Sequence, residues 1–142
     1  MTCMVCLPLR HLSLTSPFGF RIHPITGKYT FHAGIDLRAR SDTVFAVLPG
    51  KVKTAAYNPL LGFYIRLNHG SFETLYGHLS QVFVLAGDSV NACDAVGVSG
   101  ASGAVTGEHL HFAVNYHHKT IDPLKFLTLL TNFNQHKKET KQ

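Results

Sequence analysis

Turn-forming residues interrupt this chain at short intervals, and this spacing limits what it can fold into. The turn signals are Ser16-Pro17, His23-Pro24, Thr26-Gly27, Pro49-Gly50, Asn58-Pro59, His69-Gly70, Gly87-Asp88 and the stretch from Gly100 to Gly103. The segments between them are rich in β-branched and aromatic residues, which favour strands. Candidate strands cover residues 43–48, 51–56, 63–68, 72–77, 95–98 and 109–115. The pattern predicts a mainly β domain with an antiparallel sheet.

One segment near the C-terminus breaks the pattern and favours a short helix. Asp122 can cap it and Pro123 can occupy its first position, ahead of the apolar stretch PLKFLTLLTNF. With 142 residues and 45% hydrophobic content, the chain can bury one ordinary core. We therefore expect one domain over residues 16–130, an irregular N-terminal extension over 1–15 and a polar, disordered tail over 131–142.

Charge and hydropathy exclude several classes of function. No uninterrupted apolar stretch approaches the roughly 20 residues of a membrane-spanning helix. The formal charge is +5, of which Lys137, Lys138 and Lys141 against Glu139 contribute +2, leaving +3 for the rest. Without a basic stripe interleaved with aromatic residues, the sequence does not favour nucleic acid as a partner. A loose attraction to an anionic polymer such as a bacterial wall is compatible with the charge.

The N-terminal residues and the cysteines carry little recognisable signal. The start of the chain lacks the ordered charged, apolar and small-residue regions of a secretory signal. Any export element is therefore expected to be missing from this sequence or unconventional. Cys3, Cys6 and Cys93 are an odd number, from which we expect no disulfide framework, and Cys3 with Cys6 forms a lone CxxC. We expect Cys93 to be a packed small apolar residue.

Five side chains from three separate segments have the chemistry of a metal centre. His32 and Asp36 belong to FHAGID, His78 to LYGHLS, and His109 with His111 to GEHLHF. Zinc binds imidazole and carboxylate donors, and a catalytic zinc keeps one position for water. Three protein ligands with spare histidines beside them suit hydrolysis by metal-activated water.

Strand geometry constrains how these residues can share one site. His109 and His111 lie two residues apart, about 6.6 Å on a strand, and therefore enter one cavity while Leu110 and Phe112 face the core. His32 and Asp36 would lie about 13 Å apart on an extended strand, which is too far for one ion. Either they share a helical face, or Ala33-Gly34 bends the chain; we favour the bend, because glycine permits it.

Each motif also has an alternative without metal. HxxxD occurs often by chance, and HxH on a strand is commonly a polar face. His78, next to Tyr76 and Leu79, can be a core histidine with its hydrogen bonds satisfied. The remaining histidines are expected at the surface: His11, His23, His69, His117, His118 and His136.

Taken in order, several segments resemble the lysostaphin/LytM-type zinc endopeptidases, which cut peptidoglycan cross-links. They are SPFGFRIHPITGKYTFHAGIDL, LNHGSFETLYGHLS, GDSV, SGASGAVTGEHLHF and IDPLKFL, within residues 16–127. The resemblance implies a compact β domain with an open active-site groove and one zinc ion per chain. It implies His32, Asp36 and His111 as zinc ligands and His78 and His109 as catalytic residues, with a zinc-bound water attacking the peptide bond. It also implies a periplasmic or extracellular location.

Three positions depart from the pattern of that family. Glu108 replaces the usual proline, Cys93 a usual glycine, and Phe63 follows Gly62 in place of asparagine. A Glu108 carboxylate beside His109 is expected to raise the pKa of that histidine, and if it points into the groove it would alter the substrate charge preference. On that hypothesis, Glu108→Pro shifts the acidic limb of the activity profile downward.

Two further functions stay open beside the endopeptidase. The first is a catalytically silent wall-binding or regulatory domain of the same fold. The second is a carrier domain, since Val47 to His69 has a strand-turn-strand pattern with Lys51 as the candidate for modification. The sequence identifies neither the cleaved bond, nor which histidine acts as base, nor the oligomeric state.

Overall fold

A computed structural model describes residues 4–139, which form twelve strands and one helix. The strands are β1 Leu14–Ser16, β2 Gly19–Ile22, β3 Tyr29–His32, β4 Ile35–Arg38, β5 Thr43–Phe45, β6 Gly50–Asn58, β7 Gly62–Asn68, β8 Phe72–Val82, β9 Ser89–Val90, β10 Ala95–Ser99, β11 His109–Tyr116 and β12 Lys119–Ile121. The helix, α1, is Pro123–Glu139. None of the helical structure in the described range is both long and apolar enough to cross a membrane.

The main sheet is antiparallel and follows the order β1-β4-β11-β8-β7-β6-β9. Strand β10 pairs with β8 and β5, β12 pairs with β11, and β2 with β3 forms a separate hairpin. The predicted fold class, a mainly β antiparallel domain with one C-terminal helix, is confirmed. Strand β11 lies between β4 and β8, so the HAGID, GHLS and HLH segments become neighbours in the sheet.

Successive side chains along the central strands point alternately into the core and to the opposite, open face of the sheet. On β11, Leu110, Phe112 and Val114 are fully buried, and on β4 Ile35 and Leu37 are buried beside them. The intervening residues point to the other side of the sheet, as the two-residue period requires. One face of these strands thus makes the core, and the other is free to form a site.

The C-terminal helix begins as predicted but continues further. The Asp122 carboxylate accepts a hydrogen bond from the Leu124 amide at 2.9 Å, and Pro123 is the first helical residue. Phe126 and Leu127 are buried, and the Phe126 ring lies 5.0 Å from that of Phe72. The helix predicted over residues 123–133 is observed, but the disordered tail expected after it is wrong for residues 134–139, which continue the helix; residues 140–142 lie outside the described range.

The N-terminal segment is irregular over residues 4–13, but it packs on the domain and does not form the separate extension expected for residues 1–15. The Cys6 amide donates to the Val47 carbonyl, the Pro8 carbonyl accepts from Phe45, and Leu9 is 2% exposed. Packing therefore begins well before residue 16. Cys3 and its CxxC motif fall partly outside the described residues.

Cys6 and Cys93 form a disulfide, with Cα atoms 5.3 Å apart. The expectations of no disulfide and of Cys93 as a packed free thiol were therefore wrong, because the sequence does not show that the N-terminal segment folds back onto the sheet. The bond joins residues 87 positions apart and fastens this segment to the domain.

Reducing this disulfide should destabilise the domain by about 2–5 kcal/mol, because closing a long loop removes conformational freedom from the unfolded chain. Urea unfolding with and without reductant measures the change, and Cys93→Ser should reproduce it without reductant. Cys3→Ser is the matched control, since both bridged cysteines remain. Equal midpoints for the oxidised protein and Cys93→Ser would contradict the expectation.

His69 belongs to a chain of hydrogen bonds and is not a simple surface residue. Its Nδ1 lies 2.9 Å from the Pro49 carbonyl, which can only accept, so Nδ1 carries the proton and Nε2 accepts from the Thr74 hydroxyl at 2.8 Å. The Thr74 hydroxyl lies 3.0 Å from that of Tyr76, which accepts the Val47 amide. Burial lowers the pKa of His69 and raises that of Tyr76 to about 12. The chain is therefore built around a neutral imidazole.

Stability should accordingly fall as pH drops below the ordinary histidine pKa of about 6.5. The unfolded state takes up a proton on His69 first, so the stabilisation is complete above that pH and decreases towards the lower pKa of the folded state. Unfolding free energies between pH 7.5 and 5 should show a shallower slope for His69→Gln than for the original chain. Identical slopes would show that His69 does not titrate with folding.

Candidate functional site

The candidate metal ligands meet where β3 and β4 run beside β11. Strand β3 ends at His32 and β4 starts at Ile35, so the chain changes direction at Ala33-Gly34 as predicted. Asp36 lies directly opposite His111 in the β4–β11 pairing. Two segments about 75 residues apart thus place their side chains on one open face.

Three donor atoms converge at this point with spacing that suits zinc. His32 Nε2 lies 3.2 Å from Asp36 Oδ1 and 3.3 Å from His111 Nδ1, and His111 Nδ1 lies 3.2 Å from Asp36 Oδ1. Around a tetrahedral zinc with bonds of about 2.0–2.1 Å, neighbouring ligand atoms lie about 3.3 Å apart. The three side chains therefore fit a zinc ion with little rearrangement.

Hydrogen bonds to the backbone orient the rings of His32 and His109. His32 Nδ1 donates to the Pro17 carbonyl at 2.9 Å, which leaves the Nε2 lone pair pointing at Asp36 and His111. His109 Nδ1 donates to the Gly107 carbonyl at 3.0 Å. Hydrogen bonds of this kind fix the orientation of each ring and determine which ring nitrogen carries the proton.

Gly34 leaves room for the His111 ring. A Cβ atom at position 34 would lie 2.7 Å from His111 Cε1 and 2.7 Å from the Phe112 carbonyl oxygen. The second atom belongs to the backbone of β11 and cannot move without disturbing the sheet. The glycine therefore serves the close approach of β11, in addition to allowing the bend.

Gly34→Ala should weaken zinc binding by about 10- to 100-fold, since the displaced His111 ring no longer meets Asp36 at the right distance. Competition with a chromogenic chelator measures the affinity. Gly107→Ala is the matched control, because a Cβ there meets open space and should leave the affinity unchanged. Unaltered affinity in Gly34→Ala would refute the steric explanation.

His78 reaches the site through an irregularity in β8. The β7–β8 pairing shifts between Phe63 and Ile65, and His78 has a positive φ of 60°. A regular strand would turn His78 to the same side as the buried Tyr76. The bulge instead brings its ring within 4.8 Å of the His109 ring and 6.0 Å of the His111 ring. Strained backbone of this kind is concentrated at functional sites.

Ser102 supports His78, and sequence reasoning missed it. Its carbonyl accepts the His78 Nδ1 proton at 2.8 Å, while its hydroxyl donates to the Leu79 carbonyl at 2.6 Å and accepts the Phe63 amide at 3.0 Å. These bonds join the loop after β10 to β7 and β8. The glycine-rich stretch from Gly100 to Gly103 was the available signal, and it predicted only a turn.

Burial and the shared Asp36 carboxylate shift the pKa values of the site residues. Burial raises the pKa of Asp36, but hydrogen bonds from His109, His111 and His32 outweigh it and hold that pKa well below its usual range. Burial lowers the pKa of His111 and takes that of His78 to about 4. Burial also lowers the pKa of His109, but the Asp36 carboxylate outweighs it and raises the value.

Glu108 does not act on His109 as hypothesised. Its carboxylate accepts a hydrogen bond from the Ser41 amide at 2.8 Å, and the raised pKa of His109 comes from Asp36. The coupling expected for Glu108→Pro therefore has no structural basis. Glu108 instead fastens the end of the loop before β11 to the turn after β4.

The five residues lie in an open groove of about 570 Å³. Its walls are the β2–β3 hairpin and the 60–61 and 104–106 segments, and its floor continues along the sheet past Leu75 and Ala113. Two tyrosines near the site do not line the groove: Tyr29 is 72% exposed and stacks on Phe20, and Tyr64 lies against Arg66. His23, expected at the surface, lines the groove, as does Arg21, which was not singled out.

Comparison with known proteins gives a consistent result. The model of Peptidase family M23 matches residues 30–123. The peptidoglycan DD-endopeptidase ShyC of Vibrio cholerae is 38% identical over 103 residues, which are 70% of this chain and 24% of that protein. The chain spans about a quarter of the length of the curated relatives that it matches.

Solved structures agree with the sequence matches. A zinc-containing peptidase from Vibrio cholerae superposes with a TM-score of 0.75 at 31% identity, covering 85% of this chain and 39% of that one. The catalytic domain of lysostaphin from Staphylococcus simulans superposes with a TM-score of 0.72 at 30% identity, covering 82% and 92%.

Proposed function

Because this chain belongs to peptidase family M23, we propose that it is a zinc endopeptidase that hydrolyses peptide cross-links of bacterial peptidoglycan. The observation that carries the proposal is the convergence of His32, Asp36 and His111 at tetrahedral spacing within an open groove. These three side chains would hold one zinc ion, and His78 and His109 would act beside it. The activity is assigned to the part of the domain that the family match covers, residues 30–123.

In this proposal the metal would act as a Lewis acid, and the two histidines would transfer protons. A zinc ion held here supplies the Lewis acidity that brings the pKa of water towards 7 and polarises a carbonyl. His78 and His109 each donate Nδ1–H to a backbone carbonyl, so each neutral ring presents a lone pair on Nε2. One ring can accept a proton from the attacking water, and a protonated ring can donate to the oxyanion or the leaving amine.

The proposed reaction is a hydrolysis that consumes only the peptide and one water molecule. The water oxygen bonds to the carbonyl carbon, the carbon–nitrogen bond breaks, and the amine leaves with a proton from water. The 4.8 Å between the His78 and His109 rings allows both to reach one carbonyl from the same side of the groove. Their backbone hydrogen bonds keep them in place while protons move.

Location follows from the same family and from the disulfide. Relatives are named for action on peptidoglycan, and disulfides persist in oxidising compartments. We therefore place this domain outside the cytoplasm, in the periplasm or the extracellular space.

The alternative functions have less support. A silent wall-binding domain would not need a His-Asp-His group that can hold a metal, with two more histidines beside it in an open groove. The carrier-domain hypothesis is wrong, because it requires the modified lysine at an exposed hairpin tip. Lys51 instead lies inside β6, opposite Asn68 of β7 and Ser89 of β9.

The test combines zinc content with product analysis. Purified protein should carry about one zinc per chain, and digested sacculi should release cleaved muropeptides that mass spectrometry identifies. Chelation should abolish cleavage, and added zinc should restore it. Stoichiometric zinc without cleavage of sacculi of any cross-link type would favour the silent domain and overturn the endopeptidase.

A further inference from the structure

Arg21 occupies a wall of the groove without an obvious structural reason to be there. It lies on β2 between Phe20 and Ile22, which are 67% and 69% exposed on the outer face of the hairpin. Alternation along β2 therefore turns Arg21 inward, and its side chain is 18% exposed and lines the groove. Burial of a guanidinium raises the free energy of the folded protein unless its N–H groups meet hydrogen-bond acceptors.

The protein satisfies this guanidinium only in part. Arg21 Nη2 lies 3.7 Å from Asp36 Oδ2, beyond a good hydrogen bond, and Nε is buried with no partner among residues 4–139. Asp36 is also shared, because its Oδ1 lies within 3.4 Å of ring nitrogens from His32, His109 and His111. Because Nε is buried, only the two Nη nitrogens can meet a ligand in the groove, and the long contact of Nη2 with Asp36 leaves this pair, a planar fork of donors, with capacity for another anion.

A carboxylate is the anion that fits this fork. Arginine binds carboxylates with two parallel hydrogen bonds, which fixes their position as well as their charge. In a bond between two D-configured centres, as a DD-endopeptidase cleaves, the residue on the amine side carries a free carboxylate next to the scissile nitrogen. Only the nitrogen and one carbon separate that carboxylate from the scissile carbonyl, a span of at most about 4 Å.

We propose that Arg21 binds the carboxylate of the residue that leaves as the amine, and so selects DD cross-links over bonds without that charge, such as those in glycine bridges. The inference rests on the proposed function and narrows its substrate class. Arg21 is then a specificity residue. A purely structural Arg21 would act through Asp36 and affect all substrates alike.

The test compares two synthetic cross-linked peptides that differ at one group. One carries the free carboxylate beside the scissile amide, and the other carries a carboxamide there. The original protein should cleave the acid with a kcat/KM about 10- to 100-fold higher, as expected for a hydrogen-bonded charge pair. In Arg21→Gln this preference should disappear, mainly through loss of activity on the acid, while zinc content stays the same.

Two further variants complete the experiment. Arg21→Lys keeps a charge without the fork and should retain part of the preference. Arg40→Gln, an exposed arginine outside the groove, should keep all of it. Equal cleavage of the acid and the amide by the original protein would overturn the proposal even if Arg21→Gln did not fold. An equal loss on both substrates in Arg21→Gln would also overturn it, whereas failure of the endopeptidase itself would appear as no cleavage of either peptide.

Discussion

Replacing His111 with alanine should release the zinc ion and abolish cleavage. Its Nδ1 lies 3.2 Å from Asp36 Oδ1 and 3.3 Å from His32 Nε2, so the change removes one of three donors from a small cluster. Removing a residue that only hydrogen-bonds to a metal ligand lowers metal affinity by about 10- to 100-fold. Loss of a direct ligand should lower the affinity further, by about 1,000-fold or more. His32→Ala and Asp36→Ala should behave in the same way.

Metal analysis of the purified variants, followed by chelator competition, measures this effect. His11→Ala is the control, because His11 is an exposed histidine away from the cluster and should leave zinc content unchanged. A His111→Ala protein that keeps stoichiometric zinc while His109→Ala loses it would show that the two histidines have exchanged roles. Circular dichroism separates loss of the ion from loss of the fold.

His109→Ala should instead keep most of its zinc and lose turnover. His109 Nε2 lies 3.4 Å from Asp36 Oδ1, but its ring also lies 4.8 Å from that of His78, and we propose that these two rings transfer protons and do not hold the metal. Removal of a positioned acid or base typically costs about 10²- to 10⁴-fold in rate. We expect kcat to fall within that range with little change in KM.

His78 should respond in a similar way if the substitution respects its backbone. Asparagine tolerates the positive φ at this position better than alanine, so His78→Asn isolates the chemical loss from strain. Single-turnover cleavage with zinc content measured in parallel checks both variants. Full activity in either would remove that histidine from the reaction, and zinc loss in either would make it a ligand.

Several features of the site followed from residues that are close together in the chain. The two-residue period of β11 places His109 and His111 on one face and Leu110 and Phe112 in the core. A 13 Å separation on an extended strand required the bend at Ala33-Gly34, which is observed. Asp122 and Pro123 marked the start of the helix for an equally local reason.

Short strands were harder to recognise than long ones. The predicted strands correspond to β5–β8, β10 and β11, whereas the two- to four-residue strands β1–β3, β9 and β12 were not assigned individually. A strand of three residues has too few positions for alternation to be visible, and it exists because a neighbour pairs with it. The same holds for the N-terminal segment, which a disulfide and Leu9 join to the core.

The sequence by itself determined the fold class, the chemistry of the five site residues and the side of β11 on which two of them lie, because strand alternation and capping depend on neighbours a few positions away. Only the tertiary structure decided that a bulge turns His78 into the groove, that Glu108 bonds to Ser41 and leaves His109 to Asp36, and that Cys6 meets Cys93. These outcomes depend on strand register and on packing between segments distant in the chain, and no local pattern encodes either.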